Sequence, residues 1–202
     1  MDSRPSEPVG SPTDSASAIK VPMPVKIVVA GGFGVGKTTF VGSISEIDPL
    51  RTEAAMTNES LGVDVINDQS AKTATTVAMD FGRITLGNDD LILYLFGTPG
   101  QERFHFMWDE LVKGAIGAVV LVDTTRLADS FAAIDYFEAR GLPFVVSVNC
   151  FNGVVTHGID DVRSALALTS AVPLFLTDAR ERGSTREALL TLVTHALELA
   201  RR

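Results

Sequence analysis

The sequence predicts an α/β protein, with a mostly parallel six-stranded sheet, one antiparallel edge strand and helices on both faces. Short apolar runs rich in valine and isoleucine alternate along the chain with longer segments that carry the helical period. Two of the runs, 77–86 and 91–96, are joined by turn-forming residues 87–90, which is typical of a hairpin. Repeated alternation of strand and helix after one hairpin favours a parallel sheet whose ligand lies at the carboxyl ends of the strands.

The elements can be placed in order along the chain. Strands are predicted from the β-branched and apolar runs at 25–30, 77–86, 91–96, 115–123, 144–149 and 173–176. Helices are predicted from the 3.6-residue period at about 37–47, 102–113, 127–140, 160–170 and 184–201. The last helix opens with Ser184 and, three residues later, Glu187, which is the spacing of a capping box.

The first 24 residues differ in composition from the rest of the chain. Five prolines and five serines fall among them, with few large apolar side chains to bury. We therefore expect a disordered tail over residues 1–24 and a single folded domain over residues 25–202.

Composition and charge exclude several classes of protein. Apolar residues make up 46% of the 202 residues, enough for a core, yet no apolar run approaches the ~20 residues that cross a bilayer. The formal net charge of −8 argues against nucleic acid and anionic lipid as partners. The single Cys150 cannot form an intrachain disulfide, and the first residues lack the apolar segment of a secretory signal. The expectation is a cytoplasmic protein without direct membrane insertion, recruited to a membrane only through a partner.

A glycine-rich segment follows the first predicted strand and precedes the first helix. Residues 31–38 match the pattern G-x-x-x-x-G-K-S/T in that context. Backbone N–H groups of such a loop converge on phosphate oxygens, the lysine reaches the terminal phosphates and the hydroxyl ligates Mg²⁺. The sequence therefore predicts a P-loop that binds a nucleoside triphosphate, with Thr38 also holding the metal. The residues that form it are Gly31, Gly34, Val35, Gly36, Lys37, Thr38 and Thr39.

A second motif, residues 97–104, follows the strand at 91–96 and has the sequence Gly-Thr-Pro-Gly-Gln-Glu-Arg-Phe. It resembles the second switch of Ras-like small GTPases, and with the P-loop it extends the resemblance over about residues 25–202. The resemblance implies a Ras-like P-loop NTPase fold, a Gly100 amide that contacts the γ-phosphate and a Gln101 side chain that orients the attacking water. A glycine–proline turn without chemistry is the alternative.

Polar residues before the second strand occupy the place of the first switch, where Ras-like GTPases supply a threonine to Mg²⁺. The resemblance assigns that role to Thr76, with Thr75 as its rival and a threonine-rich strand as the alternative. The usual aspartate of the second switch is replaced by Gly97. Asp80 then becomes the candidate acidic group beside the metal, unless it is a strand acid exposed to water.

Departures from the common pattern narrow the resemblance further. A second switch without its aspartate, together with an Asp-Phe pair four residues after Thr76, resembles the bacterial polarity GTPases of the gliding-motility (MglA) type. Residues 75–82 and 149–151 look closer still to the actinobacterial conservon GTPases. These families imply a roadblock-fold partner that acts on the switches, and conservon systems add a histidine-kinase-like protein. The aromatic residues at 104–108 are either anchors for such a partner or helix packing.

Base recognition is where the chain departs most from the family pattern. Small GTPases read guanine with Asn-Lys-x-Asp, whereas residues 149–152 here are Asn-Cys-Phe-Asn. The resemblance places Asn149, Asn152 and Ala179 at the base, and Asp178 either contacts the base or caps its turn. Because an amide accepts where a carboxylate would, but must also point a donor at the base, we expect Asn152 to weaken the binding of GTP and GDP.

The expected function is a guanine-nucleotide switch that hydrolyses GTP slowly, is stimulated by its partner and uses Gln101 as its catalytic residue. Arg51 and Arg103 are the candidate internal arginines for the transition state. The alternative is a scaffold that holds nucleotide poorly or never turns it over. That alternative is favoured by the residues that replace the family's charged ones, Gly97, Cys150 and Asn152. An ATP-dependent small-molecule kinase is disfavoured because the sequence shows no lid or acceptor-binding motif.

Overall fold

A computed structural model describes residues 21–48, 50–56, 75–86 and 91–202, with the backbone alone at 50–56, 75–78, 102 and 103. The strands, numbered along the chain, are β1 Met23–Ala30, β2 Leu50–Met56, β3 Thr75–Leu86, β4 Leu91–Gly97, β5 Ala115–Val122, β6 Phe144–Asn149 and β7 Leu174–Thr177. They form one seven-stranded sheet in the order β2-β3-β4-β1-β5-β6-β7. The predicted tail falls mostly on residues 1–20, which lie outside the described residues.

Helices cover both faces of this sheet. They are α1 Lys37–Ile44, α2 Trp108–Leu111, α3 Ala128–Arg140, α4 Ile159–Ala165 and α5 Arg182–Ala200. Successive residues of β1 point to opposite faces. Ile27 and Val29 therefore join the core under α1 and α5, whereas Val28 and Ala30 join the core under α2, α3 and α4. No helix in the described part of the chain is both long enough and apolar enough to cross a membrane.

The predicted α/β class is confirmed, and the sheet contains one more strand than the six expected. β4, β1, β5, β6 and β7 run parallel to one another, and β3 is antiparallel to β4. β2 pairs antiparallel with β3 and forms the edge, so the antiparallel strand is second from the edge. Only one of the seven residues of β2, Thr52, is β-branched. Pairing with β3, more than local propensity, makes this segment a strand.

The start of α5 differs from the prediction. The capping box at Ser184 and Glu187 is wrong, because α5 begins two residues earlier, at Arg182, and its N-cap residue Glu181 makes no side-chain cap. The Ser184 hydroxyl oxygen instead accepts a hydrogen bond of 3.0 Å from the backbone N–H of Asp178. Ser184 therefore fastens the loop after β7 to the helix.

Candidate functional site

The glycine-rich loop lies between the end of β1 and the start of α1. Its backbone is left-handed at Gly31, with φ 135°, and at Gly36, with φ 106°, a conformation that favours glycine. Space is also restricted there: a Cβ on Gly31 would lie 2.4 Å from the Leu121 carbonyl oxygen, and one on Gly36 would lie 2.6 Å from Asn149 Nδ2. The loop is thus seated against the ends of β5 and β6.

A cavity of about 460 Å³ opens in front of this loop, at the carboxyl ends of the strands. It is lined by the glycine-rich loop, by one carboxylate of β3 and by the start of the 97–104 segment, namely Phe33, Gly34, Gly36, Lys37, Thr38, Thr39, Asp80, Thr98, Pro99 and Gly100. Three separate parts of the sequence therefore meet where the parallel sheet places its ligand.

Lys37 supplies the cationic group of this cavity. Its side chain is buried, with 8% of the residue exposed, and Nζ donates to the carbonyl oxygens of Gly31 at 2.9 Å and Gly32 at 2.7 Å. Burial lowers the pKa of Lys37 to about 8. The amine is thereby held in place without a carboxylate bonded to it, which leaves its charge available to an anionic ligand.

Thr38 and Asp80 form the oxygen-rich end of the cavity. The Thr38 hydroxyl donates to Asp80 Oδ2 at 2.6 Å. Asp80 in β3 lies directly opposite Gly97 in β4, and a Cβ on Gly97 would lie 3.1 Å from Asp80 Cβ. The carboxylate of Asp80 therefore fills the space that a side chain at 97 would occupy. A hydroxyl and a carboxylate oxygen are ligands that suit Mg²⁺.

The structure does not bring every predicted residue of the first switch to this point. Thr76 lies in the part of β3 that extends past the end of β4 and pairs with β2. It precedes Asp80 by four positions, which in an extended strand corresponds to about 13 Å. Its side chain lies outside the described residues, as do those of Thr75, Arg51 and Arg103. The magnesium role of Thr76 stays a prediction. The backbone of Arg51 lies opposite Asp80 in the β2–β3 register.

The 97–104 segment crosses directly over the lysine. A Cβ on Gly100 would lie 2.6 Å from Lys37 Nζ, so only glycine fits without a shift of the amine. Gln101 follows it, half-buried, and its carbonyl accepts a hydrogen bond of 3.0 Å from the N–H of Phe104. Gln101 is not among the residues that line the cavity. Its role toward water stays a prediction.

The aromatic residues after Gln101 divide between the interior and the surface. Trp108 is 2% exposed and Phe104 6%, whereas Phe106 is 58% exposed. The Trp108 indole N–H donates to the Pro99 carbonyl at 3.4 Å, and its ring stacks on Phe137 of α3. Packing thus accounts for Phe104 and Trp108, while Phe106 presents its ring to solvent.

Asn149 ties the glycine-rich loop to the last strand. It is buried, its Nδ2 donates to the Val35 carbonyl at 2.9 Å, and its Oδ1 accepts from the Ala179 N–H at 3.1 Å. Both ends of the amide are used within the protein. Asn149 and Ala179 therefore lie together beside the phosphate loop, and their contact with a base stays a prediction.

A second, small cavity of about 70 Å³ continues from the first, with which it shares Gly36 and Thr39. Asn149, Phe151, Asp178, Ala179 and Arg180 also line it. Arg180 donates to both carboxylate oxygens of Asp178, from Nε at 3.1 Å and from Nη2 at 2.8 Å, and from Nη1 to Asn152 Oδ1. The Arg180 guanidinium and then its backbone N–H lower the pKa of Asp178 to about 2. Asn152 holds a left-handed φ of 58°.

Three residues of the site were missed by sequence reasoning. Arg126 donates to the Phe33 carbonyl at 2.8 Å, and Arg180 joins the cluster just described. Thr98 is 3% exposed, its hydroxyl has no hydrogen-bond partner within the described ranges, and it lines the larger cavity. The only signal in the sequence is position, since each follows the carboxyl end of a strand.

Sequence comparison gives a family and distant relatives. Residues 29–199 match the family described as "conserved hypothetical ATP binding protein". An uncharacterized protein of Methanocaldococcus jannaschii is 31% identical over 127 residues, 62% of this chain and 69% of that protein. The Ras-related protein Rab-7b of Homo sapiens is 28% identical over 122 residues, 60% of this chain and 52% of that protein. The chain thus spans about half the length of this Rab relative.

Comparison with solved structures shows the same fold at low identity. The FeoB G-domain from Methanococcus jannaschii has a TM-score of 0.55 and 13% identity, covering 86% of this chain and 98% of that one. The cytosolic domain of the T. maritima FeoB iron transporter in a GDP form has a TM-score of 0.60 and 15% identity, covering 87% and 64%. The chain belongs to the family described as "conserved hypothetical ATP binding protein", and it has the fold of these G-domains.

Proposed function

We propose that the chain is a guanine-nucleotide switch that hydrolyses GTP slowly and signals through a roadblock-fold partner, as in the MglA and conservon GTPases that it resembles. The observation that carries this is the meeting of Lys37, Gly100 and the Thr38–Asp80 pair in one cavity. Guanine is favoured as the base because the sequence relatives include Ras-related proteins and a related fold is seen in a GDP form.

The phosphates lie, in this proposal, along the glycine-rich loop. The backbone N–H groups at the N-terminus of α1 face the cavity and favour an anion. Lys37 meets the terminal phosphates, and in doing so it exchanges its two carbonyl contacts for charge-assisted bonds. Gly100 lies against the lysine amine, so a γ-phosphate held by Lys37 is within reach of the 97–104 segment.

Magnesium fits the oxygen-rich end of the cavity. Thr38 and Asp80 would hold it together with the phosphates, and Thr76 is the expected further ligand. When bound, Mg²⁺ neutralises negative charge on the β- and γ-phosphate oxygens. Asp80 takes over the part of the missing second-switch aspartate from the adjacent strand, since its side chain already fills the space at Gly97.

Hydrolysis depends on Gln101 in this proposal. The residue follows Gly100 and orients the attacking water once the γ-phosphate has drawn this segment to the loop. Unassisted turnover is expected on the order of 10⁻⁴–10⁻² s⁻¹, the range of GTPases that no partner protein stimulates. A roadblock-fold partner would raise it, and the exposed ring of Phe106 offers an anchor on the same segment.

A nucleotide-binding scaffold without turnover is the second candidate. It is favoured by the contact of Arg180 with Asn152, which occupies an amide oxygen that the base would otherwise use. The two candidates differ in one property, the release of phosphate.

One pair of measurements tests the proposal. Lys37→Ala should weaken Mg-GTP binding at least about 100-fold in titration calorimetry, because a charge-assisted bond of ~3 kcal/mol is lost. Lys113→Ala, which removes an exposed lysine paired with Glu110, is the matched control and should bind as wild type does. Equal affinity in wild type and Lys37→Ala would overturn the phosphate assignment.

Single-turnover hydrolysis separates the two candidates. Gln101→Leu should slow phosphate release without changing the Kd, because glutamine acts on water in the transition state. If wild type releases phosphate no faster than Lys37→Ala, the chain is a scaffold.

A further inference from the structure

We infer that Arg180 is a specificity-determining residue, which sets the base preference of the cleft by withholding from guanine the acceptors that Asp178 and Asn152 carry. The inference rests on the proposed function, because it assumes that the base enters the smaller cavity beside the phosphate loop. This inference predicts that the chain binds GTP only slightly more tightly than ATP.

The position of Arg180 places it against the base. It lines the small cavity together with Asp178 and Ala179, and that cavity shares Gly36 and Thr39 with the phosphate cavity. A nucleotide with its phosphates on the glycine-rich loop can lay its base in this adjoining cavity. Arg180 is therefore within reach of the bound base.

The hydrogen-bond donors and acceptors at this end of the cleft then decide which base fits. Guanine presents two donors along its edge, the ring N–H and the 2-amino group, and both need acceptors. The acceptors at this end of the cleft are the two carboxylate oxygens of Asp178 and Oδ1 of Asn152, and Arg180 donates to all three. Asp178 Oδ1 also accepts from the Arg180 backbone N–H at 3.0 Å, so both of its lone pairs are used, whereas Asp178 Oδ2 and Asn152 Oδ1 keep one each. Beside these two free lone pairs the cluster presents donors, the remaining guanidinium N–H groups and the amide N–H₂ of Asn152.

The added donors weaken the preference for guanine, because they compete with its donors for the free acceptors, and they leave adenine acceptable. The ring nitrogen of adenine beside its amino group is an acceptor, which a guanidinium N–H can satisfy. Asp178 is not released easily, because its paired contacts with Arg180 are bidentate and charge-assisted. The pKa of Asp178, lowered by Arg180, agrees with a carboxylate that stays ionised and paired.

The cluster also predicts what happens when the family's aspartate is restored. An aspartate at 152 would lie beside Arg180, which already contacts the side chain at that position, and would pair with it. Asn152→Asp alone should therefore change the affinity for GTP less than about threefold. With Arg180 removed, the same carboxylate is free to accept from guanine, and the gain should be about 10–100-fold.

A double-mutant cycle tests this inference. The Kd values for Mg-GTP and Mg-ATP are measured by calorimetry for wild type, Asn152→Asp, Arg180→Ala and the double variant, with Arg180→Gln as a second neutral replacement. Arg180→Ala should raise the GTP/ATP affinity ratio about tenfold, and the double variant should raise it further. Arg140→Ala, which breaks an exposed pair between Arg140 of α3 and Asp109 of α2, is the matched control and should leave the ratio unchanged.

The outcomes separate this inference from the proposed function. If Asn152→Asp alone tightens GTP by 10–100-fold, or if neither Arg180 variant alters the ratio, Arg180 does not govern the base and the inference is overturned. In both cases Lys37→Ala still weakens nucleotide binding at least about 100-fold if the phosphate site is right. If Lys37→Ala leaves every Kd unchanged, the cleft assignment fails and the inference fails with it.

Discussion

The buried amine of Lys37 has a measurable effect on stability before any ligand is bound. Burial lowers its pKa from the ordinary 10.5 to about 8, so a protonated amine at this position destabilises the folded state. Between these two pH values the unfolded chain binds more protons at this residue than the folded chain does. The contribution of Lys37 to the free energy of unfolding therefore rises as pH increases from 8 to 10.5. Below pH 8 the protonated amine destabilises the folded state by the full amount.

We predict that wild type gains stability relative to Lys37→Met as pH rises from 7.5 to 10. The expected gain is roughly 1–3 kcal/mol, because the variant lacks the group whose protonation is penalised. Urea unfolding of both proteins across this range measures it, and the difference removes the contributions of other lysines. Parallel pH profiles for the two proteins would contradict a buried Lys37.

Two other charged residues lie at the cavity or its loop. The Asp80 carboxylate fills the space beside Gly97, and Arg126 donates to the Phe33 carbonyl. Arg126 is itself paired with Asp123 at 3.5 Å and Asp129 at 3.7 Å.

At the scale of an element, the start of α5 is attached to the nucleotide-side loop through Ser184. Its hydroxyl oxygen accepts from the Asp178 N–H, and Asp178 holds Arg180. Glu187, which would complete a capping box, is exposed and has no part in the N-terminus of this helix. The two residues of the predicted motif therefore differ in what they stabilise.

Ser184→Ala should lower the free energy of unfolding by about 1 kcal/mol, because it leaves the Asp178 N–H without its acceptor. Glu187→Ala should stay within about 0.5 kcal/mol of wild type, as exposed substitutions do. Chemical denaturation of the two variants distinguishes a loop anchor from a capping box. Similar losses in both would restore the capping box.

The β2–β3 pair is a second element whose geometry affects the site, because part of it extends past the end of β4. β3 continues past the end of β4, and along Thr75–Met79 its described ladder partner is β2 alone. The ribbon formed by these residues projects from the edge of the sheet beside the cavity. Thr76 lies on this ribbon, so its approach to a metal would need the ribbon itself to move.

At the scale of the whole molecule, Trp108 connects the 97–104 segment beside the larger cavity to α3 on one face of the sheet. It bonds to Pro99, the neighbour of Gly100, and packs on Tyr136 and Phe137 of α3. The indole is therefore a buried ring in contact with both the 97–104 segment and α3. Trp108 is also the single tryptophan of the chain.

We predict that Mg-GTP changes the fluorescence of Trp108 and that Mg-GDP changes it much less, because only the γ-phosphate reaches Gly100. Stopped-flow emission with each nucleotide measures the difference. Lys37→Ala should show neither change. An identical response to both nucleotides would mean that the indole senses occupancy of the cleft and not the γ-phosphate.

Much of the fold could be predicted, and for clear physical reasons. Strands such as Phe144–Asn149 are buried on both faces, so they are continuous apolar runs in the sequence. β2 was missed because residues 50–56 include glutamate and alanines and become a strand through pairing. The phosphate loop was found because its parts are contiguous. The contact of Arg126 with Phe33 was not, since 93 residues separate them and no local pattern records the approach.

The position of Asp80 in an antiparallel pair has a consequence for how this chain can vary. The Asp80 carboxylate accepts from Thr38, and the β3–β4 ladder places Asp80 opposite Gly97 and Leu86 opposite Leu91. A shift of this ladder by one residue would turn the side chains of β3 to the opposite face of the sheet. The acid would then leave the cavity while every residue of the glycine-rich loop stayed intact. The register of the β3–β4 pair therefore decides whether the cavity keeps its carboxylate, and a change in the length of the segment between the two strands is expected to act on the cavity.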